Sequence, residues 1–240
     1  GCIAHERKDG GHCNLKQICY ETKMSRNNIV SNQLLGREEL LLQLWRELEG
    51  RSILLSGPRR IGKTELLKHM VSHPHADWIA VRVDVEGINS PHRAVARIAA
   101  AFRKRGLLSD GLSSAAKRLE ELNLAGVGVK LQQAEEPDPW AVLAEVVVNV
   151  LSGMPPRNRL LLALDEVPWM LDGIQSTSGA REARRALASL RYLRQREDLD
   201  RFRMLLTGSI GLAGLARTLS ASAELNDLTP AIEVLSLIHI

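Results

Sequence analysis

The chain has 240 residues, of which 45% are hydrophobic, 25% charged and 3% aromatic, and its formal net charge is +4. This composition is typical of one globular domain with enough apolar material for a core. It excludes a membrane-spanning chain, because no window holds the ~18 uncharged apolar residues that a span requires, and we expect a cytoplasmic location. The small charge excess also argues against a dedicated nucleic-acid binder, in which lysines and arginines form a dense patch.

The two ends of the chain differ from the rest. Residues 1–23 show neither helical nor strand periodicity and contain all three cysteines, and Met24 follows them directly. We expect this segment to be a non-native leader or a disordered tail. The last six residues, LSLIHI, are those that a transposase-adapter sequence encodes, so we expect 235–240 to be adapter-derived and the native frame to be cut at about Val234. The predicted domain is then 24–234.

Helix-like and strand-like segments alternate between these ends. In chain order, the helix patterns and caps fall at 36–50, 64–72, 90–101, 138–153, 179–196 and 211–219. The strand patterns fall at 52–56, 78–85, 159–164 and 202–206, with a fifth at the end of 225–234. An irregular insert occupies 106–138. The alternation predicts an α/β fold with a parallel sheet covered on both faces and right-handed crossovers.

The segment GPRRIGKT connects the first strand to the following helix. It matches GxxxxGK[ST] through Gly57, Gly62, Lys63 and Thr64. The glycines allow the backbone to direct N–H groups at phosphates, the lysine reaches the β- and γ-phosphates, and the threonine hydroxyl binds Mg²⁺. We therefore predict nucleotide binding here. The four variable positions of the motif are Pro58, Arg59, Arg60 and Ile61. The two arginine side chains either contact a phosphate or stay solvated.

An acidic pair, Asp165 and Glu166, ends the third strand. Side chains at the carboxyl ends of strands in an open α/β sheet face the ligand crevice. Asp165 is therefore predicted to hold Mg²⁺, mostly through water, together with Thr64, and Glu166 to orient or deprotonate the attacking water. The alternative for Glu166 is a cap or salt bridge where the strand ends.

The fourth strand ends in polar residues, Thr207, Gly208 and Ser209. If this strand lies between the first and third strands, Thr207 and Ser209 approach the γ-phosphate and one of them hydrogen-bonds the phosphate or the attacking water. The alternative is that Ser209 caps the next helix. Both interpretations stay open.

With these elements in place, the chain resembles the P-loop ATPases of the additional-strand division, specifically the archaeal-type ATPases near the STAND and AAA+ families. The resemblance implies a three-layer domain with a five-stranded sheet in the order 5-1-4-3-2. It also implies that Leu35, Gly36 and Arg37 lie near the adenine. The segments that carry it are 34–45, 57–67, 160–171 and 204–212.

The resemblance implies an ATPase that takes ATP and Mg²⁺. Asp165 and Glu166 would be the Walker B pair, and Ser209 or Thr207 the sensor. Hydrolysis by Glu166 would reset a conformational switch. The alternatives are a DNA-associated AAA+ initiator or loader, and a nucleotide-binding scaffold that does not hydrolyse. Such proteins continue into a helical lid, which we expect to be missing after the fifth strand.

The expected partners are a nucleotide and a protein or downstream regulatory domain whose identity the residues do not reveal. Nucleic acid is an alternative that this domain does not support strongly, because an arginine-rich helix is more often a solvated face and few aromatics accompany it. The arginines concerned are Arg181, Arg184, Arg185, Arg191, Arg194 and Arg196.

Overall fold

The computed structural model describes residues 36–108, 138–208 and 211–234. Several sequence-based predictions lie outside the described residues: those for 1–23, Leu35, most of the insert at 106–138, Ser209 and 235–240.

The described residues form alternating strands and helices. The strands are β1 (Ile53–Ser56), β2 (Trp78–Asp84), β3 (Arg159–Asp165), β4 (Phe202–Gly208) and β5 (Ile232–Glu233). The helices are α1 (Glu38–Gly50), α2 (Lys63–Ser72), α3 (Pro91–Lys104), α4 (Pro139–Gly153), α5 (Val167–Ser178), α6 (Ala180–Gln195) and α7 (Leu212–Thr218), with 3-10 turns at Glu197–Leu199 and Ser222–Leu228. Within these ranges, no helix is both long and apolar enough to cross a bilayer.

The five strands form one parallel sheet in the order β2-β3-β4-β1-β5. This is the predicted order 5-1-4-3-2, which the structure confirms. Strand β4 lies between β1 and β3, so Ser56 pairs with Gly208 while Asp84 pairs with Asp165 on the far side of β3. The carboxyl ends of β1, β3 and β4 therefore meet at one edge, where ligands bind in open α/β sheets.

Strand β3 shows why the sheet needs cover on both faces. Its residues from Leu160 to Asp165 are all buried, and successive side chains of a strand point to opposite faces. Leu160, Leu162 and Leu164 join a large apolar cluster with residues of α3 to α7. Helix α1 contacts β1, and α2 contacts β2 and β3. This gives the predicted three-layer α/β architecture.

Helix α5 follows the acidic pair directly, and the sequence analysis assigned no element there. Its buried residues Val167, Met170, Leu171 and Ile174 have helical spacing, so the signal was present, but Pro168 and Gly173 interrupt it. Gly173 is required by packing, since a Cβ there would lie 2.4 Å from the carbonyl oxygen of Ile88. The glycine thus lets α5 approach the loop after β2.

Candidate functional site

The loop between β1 and α2 has the conformation expected of a phosphate cradle. Gly62 precedes the helix in the left-handed region with φ 94°, and Arg60 also has a positive φ of 62°. Gly57 has φ 153°, and a Cβ there would lie 3.0 Å from the carbonyl oxygen of Val234. Turns with such alternating backbone conformations direct successive N–H groups inward. The positive end of α2 faces the same space, since α2 begins at Lys63.

Lys63 spans this loop from inside. The residue is 5% exposed, and its Nζ donates to the carbonyl oxygens of Gly57 and Pro58, both at 2.8 Å. Burial lowers the pKa of Lys63, while the carboxylates of Glu166 and Asp165 oppose that shift. The ammonium is therefore held in a desolvated position where an anion would be attracted strongly.

Asp165 is the centre of the polar network at the sheet edge. It is 1% exposed. Its Oδ2 accepts from Thr64 Oγ1 at 2.9 Å, and its Oδ1 accepts from Thr207 Oγ1 at 2.7 Å. The carboxylate is thus bound from the start of α2 on one side and from β4 on the other. The structure brings together three residues that are up to 143 positions apart in the chain, counting from Thr64 to Thr207.

Glu166 lies beside this network in an unusual backbone conformation. It has φ 61° and ψ 46°, in the left-handed region that non-glycine residues rarely adopt. Its backbone N donates to Thr207 Oγ1 at 3.0 Å. This contact holds the turn that aims the side chain. Strain of this kind is often found at functional sites.

The side chain of Glu166 is buried at its tip. Its Oε2 has no hydrogen-bond partner among the described residues, and the side chain makes no cap of α5. The capping alternative is therefore not what is observed. Burial raises the pKa of Glu166, and the positive charge of Lys63 opposes this shift. A buried polar atom without a partner costs free energy, so it points to a ligand or water that completes it.

The residues present fit a nucleotide with Mg²⁺. The hydroxyl of Thr64 and the carboxylate of Asp165 are hard oxygen donors, the type that Mg²⁺ prefers, and they lie 2.9 Å apart. The lysine and the N–H groups of the loop suit phosphate oxygens. These residues could hold Mg²⁺ and the phosphates together.

Arg82 is a member of the site that the sequence analysis missed. It lies on β2, and its Nε and Nη2 donate to Asp165 Oδ2 at 3.1 and 2.8 Å. The signal in the sequence was a charged residue between two valines of the strand WIAVRVDV. Its partner could not be identified without the pairing of β2 with β3.

A model of the AAA ATPase domain family matches residues 33–207. The chain belongs to this family. The match includes the phosphate loop, the acidic pair and Thr207, and the sheet order is that of a P-loop ATPase of the AAA+ type. No curated protein matches the chain closely enough to count as a relative.

Solved structures match parts of the chain at low sequence identity. The ORC2 protein of Aeropyrum pernix in ADPNP–ADP complexes is 17% identical over 82% of this chain and 48% of that chain, with a TM-score of 0.49. The structure of Drosophila ORC bound to GC-rich DNA and Cdc6 has a chain that is 10% identical over 97% of this chain and 64% of that chain, with a TM-score of 0.47. This chain thus spans about half the length of the Aeropyrum pernix protein.

In this AAA ATPase domain, Arg37 contacts the phosphate loop. It is buried, and its Nη2 donates to the carbonyl oxygen of Ile61 at 2.8 Å. Gly36 precedes it with a positive φ of 79°. The segment before α1 is therefore tied to the nucleotide loop, while adenine contact by Gly36 and Arg37 stays a prediction.

The loop arginines of the domain are exposed. The guanidinium of Arg59 lies over the ring of Trp169, 5.0 Å from its centroid, and 3.7 Å from a carboxylate oxygen of Glu86. Trp169 belongs to α5, three residues after Glu166. Arg59 therefore bridges the phosphate loop and the helix that follows the acidic pair. Phosphate contact by Arg59 or Arg60 stays a prediction.

Four of the six arginines on or next to α6 bind carboxylates of the domain. Arg194 is the most buried of them, and it donates to both carboxylate oxygens of Asp227 at 2.7 and 2.9 Å. Charges that are paired within the fold are less free to contact phosphates of a nucleic acid. The pairs are Arg185–Asp138, Arg191–Glu224, Arg194–Asp227 and Arg196–Asp198.

Proposed function

We propose that the domain binds ATP with Mg²⁺ and hydrolyses it, and that hydrolysis resets a conformational switch. The family supports an AAA+ ATPase, and the hydrolytic step goes further than the family match. The proposal rests on the environment of the Glu166 side chain. Glu166 places a buried carboxylate oxygen without a partner next to Asp165 and within the electrostatic reach of Lys63.

Binding follows from the loop and the start of α2. Lys63 would exchange its two carbonyl acceptors, on Gly57 and Pro58, for phosphate oxygens. Thr64 and Asp165 would hold Mg²⁺, directly or through water. When bound, the metal supplies charge neutralisation for the β- and γ-phosphates.

Glu166 would act as the general base. It accepts a proton from a water molecule as the water oxygen attacks the γ-phosphorus. The bond from phosphorus to the bridging oxygen breaks, and ADP and phosphate leave. The raised pKa of Glu166 suits this role, because a base with a pKa nearer to neutral holds the transferred proton better.

Thr207 would couple the site to β4. Its hydroxyl donates to Asp165 and accepts from the N–H of Glu166, so one side chain links both acidic residues to the central strand. If either residue shifts when the γ-phosphate is lost, the shift would therefore be transmitted to β4 and to α7, which follows it. We assign this coupling to the proposed switch.

A matched pair of lysine variants tests the binding step. Lys63→Ala removes the buried ammonium, whereas Lys68→Ala removes an exposed one from the same helix, where it pairs with Glu65. We expect the ATP dissociation constant to rise about 10- to 100-fold for Lys63→Ala, the loss of a charge-assisted hydrogen bond. For Lys68→Ala it should change little. Equal affinities for both variants would contradict binding at this loop.

The hydrolytic step is tested by phosphate release with and without EDTA. We expect release from ATP when Mg²⁺ is present and none when EDTA removes it. Tight ADP or ATP binding without any phosphate release would instead favour the non-hydrolysing scaffold.

A further inference from the structure

Arg82 reaches the site from the neighbouring strand β2. The register pairs Asp84 of β2 with Asp165 of β3, and side chains two positions apart on a strand share a face. Arg82 therefore lies on the same face as both aspartates. Its guanidinium donates twice to Asp165 Oδ2, at 3.1 and 2.8 Å, and its Nη2 also lies 3.3 Å from Asp84 Oδ2.

Three donor groups converge on one oxygen of Asp165. Thr64 Oγ1 and the two nitrogens of Arg82 all donate to Oδ2, whereas Oδ1 accepts from Thr207. Oδ2 is also the carboxylate oxygen nearest to the Thr64 hydroxyl, with which it would hold Mg²⁺. A guanidinium and a divalent cation at the same oxygen repel each other, and the repulsion is strong because Asp165 is almost fully buried.

Asp84 is a second acceptor for Arg82, and a move of the guanidinium to it would relieve the repulsion between Arg82 and the metal ion. Asp84 is more exposed than Asp165, with 52% of its side chain accessible against 2%. It already lies within reach of Nη2. A small rotation of the guanidinium would transfer it from Asp165 to Asp84 without leaving the surface of β2.

We propose that Arg82 is a positioning residue that competes with Mg²⁺ for Asp165 Oδ2, and that Asp84 receives its guanidinium when the metal binds. The inference rests on the proposed metal-nucleotide site. Arg82 thus sets the metal concentration at which the site takes up its metal ion with the nucleotide. Its guanidinium neutralises the buried carboxylate of Asp165 in the metal-free protein and is displaced from it by Mg²⁺.

Two variants at this pair should act in opposite directions. Arg82→Gln removes the competitor, and we expect metal affinity in the presence of ADP to tighten about tenfold, the value of one charge-assisted hydrogen bond. Asp84→Asn weakens the alternative acceptor and keeps the guanidinium on Asp165, so we expect affinity to weaken about threefold. A residue that only supports the fold would not produce opposite shifts.

The control is Arg97→Gln. Arg97 donates to the backbone carbonyl oxygens of Asp84 and Glu86. It donates to neither of the carboxylates that Arg82 contacts. We expect its metal affinity to equal that of the wild type.

The probe is Mn²⁺ in the presence of saturating ADP, with free Mn²⁺ measured by electron paramagnetic resonance and the Mn²⁺ bound by ADP in a protein-free sample subtracted. Absence of ADP-dependent Mn²⁺ binding in the wild type would contradict the proposed function itself. If the wild type binds but Arg82→Gln is unchanged or weaker, competition by Arg82 is wrong. If Arg82→Gln does not fold, Asp84→Asn decides: weaker binding supports the inference, and equal or tighter binding overturns it.

Discussion

Replacement of Thr207 by valine tests the buried network most severely. The side chain is fully buried, and its hydroxyl makes two hydrogen bonds, to Asp165 Oδ1 and from the N–H of Glu166. Loss of a bond to a charged group costs about 1.5–3 kcal/mol, and an orphaned buried N–H costs about 1–3 kcal/mol. The two losses share one site and are not additive, so we expect the free energy of unfolding to fall by about 3 kcal/mol.

The matched control is Thr207→Ser, which keeps the hydroxyl and removes one methyl group. That deletion should cost only about 1 kcal/mol. In a domain of this size about 1 kcal/mol corresponds to about 2–4 °C in Tm. In thermal unfolding, the Tm of Thr207→Val should therefore lie about 6–12 °C below that of the wild type, and the Tm of Thr207→Ser about 2–4 °C below it. Equal Tm values for the two variants would refute the role given to the hydroxyl.

Three further predictions concern other parts of the domain. Because burial raises the pKa of Glu166 and the base must be ionised, phosphate release should fall on acidification at a pH above the usual range of glutamate; a pH–rate profile checks this. Trp169 is 42% exposed whereas the other three tryptophans are buried, so intrinsic fluorescence should change on addition of ATP, and Trp169→Phe should abolish the change. Arg194→Ala removes the partner of Asp227 and should lower the free energy of unfolding by about 1.5–3 kcal/mol, because Arg194 is buried while Asp227 keeps 20% of its side chain exposed. Arg196→Ala, at an exposed pair, should cost less than about 1 kcal/mol in urea denaturation.

Much of the fold follows from local patterns. The strands and most helices fall within a few residues of the predicted bounds, because apolar periodicity and caps are local signals. Ser90 and Asp138, for example, are the first residues of the predicted segments 90–101 and 138–153, and they cap α3 and α4 with their side chains. The strand order came from a family resemblance, since local patterns do not state which strands pair.

The arrangement of the site depended on contacts between distant strands. The motif around Lys63 and the acidic pair could be identified because each is contiguous in sequence. The bond from Thr207 to Asp165 required the insertion of β4 beside β3, and the bond from Arg82 required the register of β2. The left-handed backbone conformation of Glu166 could not be predicted from the sequence either, because glutamate rarely adopts a positive φ.

The proposed function depends on Glu166 as the general base of ATP hydrolysis. The most direct measurement compares phosphate release and ATP affinity for the wild type, Glu166→Gln and the control Glu65→Gln, whose carboxylate pairs with Lys68 on the surface of α2. We predict that Glu166→Gln keeps its ATP affinity and loses about 10²- to 10⁴-fold in phosphate release, the contribution of a general base, while Glu65→Gln behaves as the wild type. Release by Glu166→Gln at the wild-type rate, with Mg²⁺·ATP saturating, would show that Glu166 is not the base.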